Sequence, residues 1–375
     1  MKYLKSFVTV LLTFMLWGCT SAGTVPETTL PTTTPVTEAT EAPIPETTVP
    51  PVTEPPVEPT IPEPEPTEYV LSFAGDCCLA NQKGWSETQY FRGTVGENYA
   101  YPFAGVVDIF AEDDCTFINL ENPLTDSQTP MNKPFVFKGP TAYTQILTLG
   151  SVEFANVVNN HAMDYREEGY LDTLEALDQA EILYCEQGQN VIFTTESGLT
   201  IGLHAQLYPE DTEALCQAVA DLRRDGAELV IVCLHWGQEY YYKPLASQKE
   251  MAHAVIDAGA DILYGHHSHV LQPIEHYQDG VIFYSLGNFC FGGNTNPQDK
   301  DSAILQQTVI RDMDGTIRLG ELKIIPCSVS STASYNDFQP TILEPDTDAY
   351  DRVLRKLDGT YEKNRLIPSN RPDLG

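Results

Sequence analysis

The amino-acid sequence predicts an α/β (α+β layered) fold for residues 68–330 of the chain. Short apolar runs rich in β-branched and aromatic residues, typical of strands, alternate with runs that have the apolar spacing of helices. Polar residues also follow several of the predicted strands directly. Because ligands bind α/β sheets at the carboxyl ends of their strands, we expect a functional site at that edge.

The predicted strands are short apolar runs that end in polar or glycine-containing turns. In chain order they lie at residues 69–74, 115–120, 154–158, 199–204, 228–234, 261–264, 281–284, 302–310 and 316–325. The last three are predicted to be antiparallel.

Helices are predicted where apolar residues recur at helical spacing, as Leu171, Leu174 and Leu177 do. The predicted helices lie at residues 141–149, 167–180, 213–224, 248–258 and about 350–357. Apart from the last helix, this periodicity is lost after about residue 330. Residues 331–375 are therefore predicted to be a C-terminal extension.

The first 18 residues are predicted to be a lipoprotein signal peptide. Lys2 and Lys5 precede an apolar run at residues 7–17, which is too short to cross a hydrocarbon core of about 30 Å. Gly18 followed by Cys19 resembles the bacterial lipobox, and this resemblance implies cleavage before Cys19 and lipidation of its thiol. An ordinary secretory signal with an incidental cysteine is the alternative.

Residues 19–67 are predicted to be a disordered tether. Residues 20–67 contain 14 Thr, 13 Pro and 8 Glu, with no Lys, Arg or aromatic residue, so they cannot bury apolar surface. Extended proline-rich chain of about 3.1 Å per residue gives a reach on the order of 150 Å. Such an acidic tether suits a globular domain held away from a membrane.

The overall charge argues against nucleic acid as a partner. The formal net charge of −32 repels phosphate backbones. The cysteines show no CxxC pair or regular spacing, so neither a zinc ribbon nor a disulfide framework is predicted. His204, His253 and His276 are isolated in sequence and are interpreted as surface or core residues.

Five polar clusters stand at the ends of predicted strands. A divalent metal pair needs carboxylate, imidazole and neutral oxygen ligands aimed at one point, and these clusters supply all three. Each cluster alone is weak evidence, because Asp and Asn also occur commonly in turns. Their order and their shared position after strands are more specific. They lie at residues 75–76, 119–121, 159–164, 235–237 and 265–269.

These residues resemble the capsule-synthesis family named for CapA, the poly-γ-glutamate capsule proteins, which is similar to calcineurin-like metallophosphoesterases. The resemblance covers roughly residues 68–327 and implies a metallophosphoesterase-like β-sandwich flanked by helices. The matching segments are 73–76 (FAGD), 119–124 (NLENPL), 159–165 (NNHAMDY), 234–240 (LHWGQEY), 259–270 (GADILYGHHSHV) and 284–289 (YSLGNF).

The resemblance also implies ligands for one or two divalent metal ions, which we expect to be manganese, zinc or iron. The implied first-metal ligands are Asp76 and His269, with Glu121 at the usual position of a bridging aspartate. The implied second-metal ligands are Asn160, His235 and His267.

One departure weakens the first metal site. The related enzymes have Asp-x-His where this chain has Asp76-Cys77-Cys78, so a thiol replaces an imidazole. Cys78 either binds a soft metal as a thiolate or packs in the core, and packing is the favoured interpretation. Occupancy by one metal, or by none, therefore stays open.

Four further residues are assigned roles beside the metals. The resemblance implies that His161 is the general acid or transition-state stabiliser, oriented by Asp164. Lys138 is a candidate for pairing with a substrate anion, or else a solvated lysine at a strand end. Asn288 either binds substrate or the ligand loops, or caps a turn.

Two functions remain open from the sequence. In the first, the chain is a metal-dependent hydrolase or transferase that acts on a phosphoester or an isopeptide-type bond of an anionic cell-surface polymer. In the second, a degenerate metal fold binds that polymer or a partner. Both place the protein on the extracellular face of the cell membrane, lipid-anchored, beside membrane-bound capsule synthesis proteins.

Substitution of the lipobox cysteine tests the predicted anchor. Cys19→Ala removes the only thiol that the lipobox resemblance would lipidate, so we expect the variant to leave the membrane fraction. The measurement is fractionation after a high-salt wash, which removes peripherally bound protein. A variant that remains with the membranes would contradict the lipoprotein assignment.

Overall fold

The computed structural model describes residues 65–367 of the chain. The predicted signal peptide and most of the predicted tether, residues 1–64, lie outside the described residues, as do residues 368–375. The first strand begins at Thr67, one residue before the predicted start of the globular segment. Within the described part, no helix has the length and apolar character needed to span a membrane.

The described residues form 15 strands in chain order. They are β1 (Thr67–Cys78), β2 (Asn81–Gln82), β3 (Cys115–Leu120), β4 (Phe137–Lys138), β5 (Phe154–Asn156), β6 (Asn190–Thr194), β7 (Thr200–Leu207), β8 (Leu229–His235), β9 (Ile262–His266), β10 (Ile274–Tyr277), β11 (Gly280–Phe283), β12 (Asn288–Phe291), β13 (Asp301–Arg311), β14 (Ile317–Ser328) and β15 (Thr341–Ile342).

Seven α-helices accompany these strands in the described residues. They are α1 (Tyr90–Val95), α2 (Val107–Phe110), α3 (Thr144–Leu149), α4 (Arg166–Gln179), α5 (Thr212–Arg224), α6 (Ala246–Asp257) and α7 (Asp348–Leu357). A single 3₁₀ turn, Thr141–Tyr143, leads into α3. Side-chain caps begin α5 and α7, where Asp211 and Thr347 each accept a backbone N–H of the first turn.

Two large sheets organise the fold. The seven-stranded sheet has the order β15-β14-β13-β1-β3-β5, and β12 also pairs with β1. The six-stranded sheet has the order β10-β11-β9-β8-β7-β6. Both centres are parallel, through β1, β3 and β5 in one sheet and β7, β8, β9 and β11 in the other. β13 and β14 form an antiparallel pair, as predicted, whereas β11, which was also predicted to be antiparallel, is antiparallel to β10 but parallel to β9.

The two sheets pack face to face over an aromatic core. Phe73 of β1 stacks on Phe117 of β3 at 5.0 Å between ring centroids and meets Phe283 of β11 edge-on at 5.4 Å. Helices α1 to α4 cover the outer face of the seven-stranded sheet, and α5 and α6 cover that of the six-stranded sheet. This arrangement confirms the predicted α/β sandwich flanked by helices.

Most predicted elements are present, with shifted ends. β5 ends at Asn156, two residues earlier than predicted, because the chain turns there into the polar loop that follows. The short helices α1 and α2 and the strand β12 were not predicted, since four to six residues carry little periodicity. After residue 330, β15 and α7 add to the same compact unit, and α7 packs on β13 and β14.

Close backbone contact at Gly75 holds β1 in place. The Asp76 N–H donates to the carbonyl of Gly287 at 2.7 Å, and the pairing register of β1 with β3 shifts between Phe73 and Asp76. A Cβ at position 75 would lie 2.1 Å from the Gly287 carbonyl oxygen. Only glycine permits this approach, and the irregular register turns the Asp76 side chain toward the end of the sandwich.

Gly75→Ala is therefore expected to destabilise the fold. Overpacking against backbone costs typically about 1–3 kcal/mol, because the Gly287 segment must move. Gly320→Ala is the matched control, since its added Cβ meets only side chains at 3.0 Å or more. Thermal unfolding should show a clear loss in melting temperature for Gly75→Ala alone. Equal melting temperatures for the two variants would contradict the close approach.

Candidate metal centre

The predicted ligands meet at one end of the sandwich in two groups that share Glu121. One group contains Asp76, Glu121 and His269, and the other contains Glu121, His235 and His267. Within each group the potential ligand atoms lie within 4.8 Å of one another. Asn160 lies beside the second group, with Oδ1 3.0 Å from His235 Nε2. The structure thus brings together all six side chains predicted as ligands.

Asp76 is held by partners from both sheets. Its Oδ1 accepts hydrogen bonds from Asn119 Nδ2 at 2.9 Å and His266 Nδ1 at 2.9 Å. Its Oδ2 lies 3.3 Å from His269 Nδ1. Burial alone would raise the pKa of Asp76, but the bonds to His266 and His269 outweigh it, and the pKa falls well below its usual value. Asp76 therefore remains a carboxylate.

Glu121 supplies the shared carboxylate, and its side chain has no hydrogen-bond partner among the described residues. Both oxygens are buried and unpaired, with Oε1 3.7 Å from His235 Nε2 and 3.8 Å from His269 Nε2. Burial raises its pKa well above the usual value. A buried carboxylate without hydrogen bonds is costly unless a cation compensates it. These orphaned oxygens fit a metal ion between the histidines.

The loop after β9 presents its histidines through strained backbone. His267 has φ of 92° and His269 has φ of 57°, both in the left-handed region that non-glycine residues rarely adopt. Burial lowers the pKa of His267 to about 4, so its imidazole is neutral at pH 7. Burial likewise lowers the pKa of His235 well below its usual value. Neutral imidazole is the form that binds metals.

His161 forms a dyad with Asp164 beside the second group. His161 Nδ1 donates to Asp164 Oδ2 at 2.9 Å, and the backbone N–H of Phe137 donates to the same oxygen at 2.7 Å. Lys133 forms an ion pair with the other oxygen of Asp164. Its ammonium also donates to the Asn160 carbonyl at 2.7 Å and lies 3.5 Å from His161 Nδ1. Lys133 therefore ties the dyad to the loop that carries Asn160.

The two predicted substrate-binding residues lie in different places. Asn288 Oδ1 lies 2.9 Å from His269 Nδ1, so Asn288 orients a candidate ligand. Lys138 is directed elsewhere: its ammonium donates to the Ser127 carbonyl at 2.5 Å and lies 4.7 Å from the centre of the Tyr165 ring. The lysine at the centre is Lys133, not Lys138.

Cys78 belongs to the core. It packs with Ala80, Phe137 and Phe291 in a small apolar cluster, and burial raises the pKa of its thiol well above the usual value. Neither candidate ligand group includes it. The packing interpretation of Cys78 therefore matches the structure, and the first ligand group offers three side chains.

Four residues of the centre were not assigned roles from the sequence. Asn119 and His266 bind Asp76, Lys133 binds Asp164, and Tyr208 Oη lies 3.3 Å from His267 Nε2. His266 stands in the predicted histidine run, and two-residue alternation along β9 puts it on the same face as the core residue Tyr264. That alternation was the available signal for its inward direction. Lys133 and Tyr208 lie in loops, where no periodicity indicates direction.

A cleft of about 340 Å³ opens beside His161 and His269, and we call it the aromatic cleft. Its other lining residues are Gln82, Trp85, Phe135, Phe137, Glu239, Tyr240, Asn288, Phe291, Gly293, Asn294, Thr295, Asn296, Pro297, Gln298, Asp299 and Leu366.

Comparison with known proteins gives a family match over most of the described domain. The family described as bacterial capsule synthesis protein PGA_cap matches residues 70–191 and 186–293. The capsule biosynthesis protein CapA of Bacillus anthracis is 32% identical over 238 residues, which are 56% of this chain and 54% of that protein. The PGA biosynthesis protein CapA of Bacillus subtilis (strain 168) is 32% identical over 247 residues, 59% of this chain and 64% of that protein. The match thus spans less than two thirds of each relative.

More distant similarity extends to other proteins. A probable polyglutamine synthesis accessory protein of Mycobacterium tuberculosis is 28% identical over 216 residues, 49% of this chain and 57% of that protein. Among solved structures, the NAD nucleotidase of Haemophilus influenzae aligns with a TM-score of 0.41 at 13% identity, covering 80% of this chain and 58% of that one. The sulfate thiohydrolase SoxB of Thermus thermophilus aligns with a TM-score of 0.38 at 11% identity, covering 69% and 56%.

Neutralising Glu121 tests whether its orphaned oxygens face a cation. In chelator, Glu121→Gln is expected to melt at or above the wild-type temperature, because it removes an unpaired buried carboxylate. With added manganese or zinc, wild type should gain stability, by roughly 2.7 kcal/mol at a hundredfold excess over the dissociation constant, and the variant should gain less.

The exposed Glu250 provides the control. Glu250→Gln should keep the full wild-type response to metal in the same thermal unfolding experiment. A wild-type chain whose melting temperature is indifferent to chelator and to both metals would contradict a metal centre.

Proposed function

The chain belongs to the bacterial capsule synthesis protein family, and from this premise we propose that it is a metal-dependent hydrolase or transferase of capsule synthesis. Its polymer would be anionic, such as poly-γ-glutamate, and it would act in synthesis, export or anchoring of that polymer. The observation that carries the proposal is the pair of ligand groups sharing the unpaired carboxylate of Glu121. A binding surface alone gains nothing from a carboxylate buried at such cost.

The proposed ligands divide between two metal positions. Asp76, Glu121 and His269 would hold one ion, and Glu121, Asn160, His235 and His267 would hold the other. Mixed imidazole, carboxylate and amide donors suit manganese, zinc or iron. When bound, such ions supply hydroxide at neutral pH and polarise a phosphoryl or carbonyl oxygen. The bond cleaved or transferred would be a phosphoester or an isopeptide-type bond.

His161 is the proposed general acid. Because its Nδ1 donates to Asp164, its Nε2 is left to exchange a proton with a group in the aromatic cleft, which His161 lines. Asp164 fixes the ring and its tautomer, and the Phe137 N–H and Lys133 fix Asp164 in turn. Lys133 also adds positive charge 3.5 Å from the ring, where an anionic leaving group would benefit from it.

A second candidate function is a non-catalytic module that binds the polymer or a partner. The observation in its favour is Cys78, which packs in the core where related enzymes have a ligand imidazole. The first ligand group then has three side chains, and Asp76 is already engaged by Asn119 and His266. In this case the ligand loops would serve as a scaffold only.

The proposed setting is the outer face of the cell membrane. Lipid at Cys19 would anchor the chain, and the acidic segment up to residue 64 would separate the domain from the bilayer. Membrane-bound capsule synthesis proteins are the proposed protein partners. The resemblance of Gly18-Cys19 to a lipobox and the composition of residues 20–67 are the reasons for proposing this setting.

His161→Ala separates the two functions. If the chain is an enzyme, the variant should lose about 10²- to 10⁴-fold in rate, the typical contribution of positioned proton transfer, while metal content stays normal. His267→Ala should lose both metal and activity. The exposed His276→Ala is the matched control and should retain both.

The decisive measurement is surface polymer in a deletion strain complemented with each variant. Full rescue by His161→Ala, together with failure of His267→Ala, would defeat the catalytic function and leave the binding module. Loss of rescue by His161→Ala, with normal melting temperature and metal content, would support catalysis.

A further inference from the structure

The aromatic cleft has the composition of a site for an uncharged ring. Trp85, Phe135 and Phe291 contribute aromatic surface to it, and side-chain amides such as Asn294 and Asn296 contribute hydrogen-bonding groups. Phe135 is 38% exposed, so an apolar ring is presented to a ligand. Within the described residues, the side chain of Asn296 makes no hydrogen bond, and it is exposed. Aromatic faces beside amides that can still form hydrogen bonds suit rings that bear hydroxyl groups.

The charges of the aromatic cleft disfavour a polyanion. Apart from the two histidines, its ionisable lining residues are the carboxylates Glu239 and Asp299, together with the tyrosine Tyr240, and the lining includes no lysine or arginine. The neighbouring lysines are engaged by the protein: Lys133 by Asp164, and Lys356 by Asp299. Because Asp299 is ion-paired with Lys356, the repulsion comes from Glu239, and a chain of carboxylates entering the cleft would find no lysine or arginine in its wall.

The volume of the cleft limits the size of its occupant. At about 340 Å³ it lies at the small end of the roughly 300–1,000 Å³ typical of ligand pockets. One sugar or nucleoside unit fits this volume. The position of His161 and His269 in the wall puts such a unit directly beside the candidate metal centre.

We infer that the aromatic cleft binds an uncharged, hydroxyl-bearing ring, a sugar or a nucleoside, whose phosphate ester lies at the metal centre. The binding of the ring is inferred from the cleft alone. The position of the phosphate ester rests, in addition, on the proposed hydrolase function. The ring stacks on Trp85 and Phe135, and its hydroxyls bond to the amide of Asn296. In hydrolysis, water oxygen bonds to phosphorus, the P–O bond to the ring-bearing alcohol breaks, and that alcohol leaves with a proton.

Three phosphate monoesters test whether the cleft prefers a ring, because they share the same phosphate group and differ in the attached alcohol. They are glucose 6-phosphate, adenosine 5′-monophosphate and glycerol 3-phosphate. With manganese-loaded full chain, kcat/KM for phosphate release should be at least about tenfold higher for a ring-bearing ester than for glycerol 3-phosphate. That factor corresponds to about 1.4 kcal/mol. The preferred ester identifies the ring as a sugar or a nucleoside.

Trp85→Ala and Phe135→Ala should remove most of this preference, because the stacking surface for the ring is lost, and should bring kcat/KM for the ring-bearing esters close to the value for glycerol 3-phosphate in the same variant. Tyr335→Ala removes an equally large aromatic ring that is 56% exposed and does not line the cleft, so it should match wild type. Equal rates for all three esters, or a preference that survives both cleft substitutions, would overturn the inference.

Calorimetric titration in the presence of a metal chelator measures binding of the ring separately from hydrolysis of the ester. Adenosine and a neutral glucose oligomer serve as probes, with poly-γ-glutamate as the anionic comparison. If no ester is hydrolysed but a neutral probe binds and Trp85→Ala weakens it, the cleft inference stands and the hydrolase proposal fails. The inference would be refuted if poly-γ-glutamate bound more tightly than the neutral probes and if that binding depended on Trp85. It would also be refuted if neither neutral probe bound and no ester was hydrolysed.

Discussion

The buried carboxylate of Glu121 is the constraint around which the centre is organised. Its oxygens lie between His235 and His269 without a hydrogen bond, whereas the neighbouring Asp76 is stabilised by Asn119 and His266. The protein's own side chains thus stabilise the carboxylate of Asp76, whereas the carboxylate of Glu121 needs a bound cation. Because burial raises the pKa of Glu121, its ionised form is favoured only when a cation binds beside it, which couples metal affinity to protonation and to the stability of the fold.

The geometry of the centre depends on how the two sheets pack. Asp76 near the end of β1 and Glu121 just after β3 belong to the seven-stranded sheet, whereas His235 at the end of β8 and the histidines after β9 belong to the six-stranded sheet. The stack of Phe73 with Phe117 and its contact with Phe283 set the spacing between these sheets. Because the strands are parallel at both centres, their carboxyl ends open at the same end of the sandwich, and the short loops there need to reach only a few ångströms.

The sequence could predict that the candidate ligands converge at one edge, but not which residues hold them in place. Strand ends followed by polar clusters indicated which edge carries the site, and the family resemblance then implied Asp76, Glu121 and the histidines as ligands. Lys133 was not found, because it reaches Asp164 through a loop contact 31 residues apart that no periodicity encodes. Lys138 was named as a candidate for pairing with a substrate anion, with a solvated strand-end lysine as the alternative, and its ammonium binds the Ser127 carbonyl. The aromatic cleft was missed for the same reason, as its walls come from separate loops.

The distribution of charge gives the proposed metal centre and the aromatic cleft different roles in the proposed function. The acidic chain, with a formal net charge of −32, concentrates divalent cations and repels anions. Under the proposed function, an anionic ester would therefore enter only where a cation offsets Glu121 and Asp76, and the cleft, whose lining has no lysine or arginine, would offer no second place for it. Cation binding would then precede ester binding. Selection of the reacting group would depend on the centre, whereas selection of the attached group would depend on the uncharged surface around Trp85.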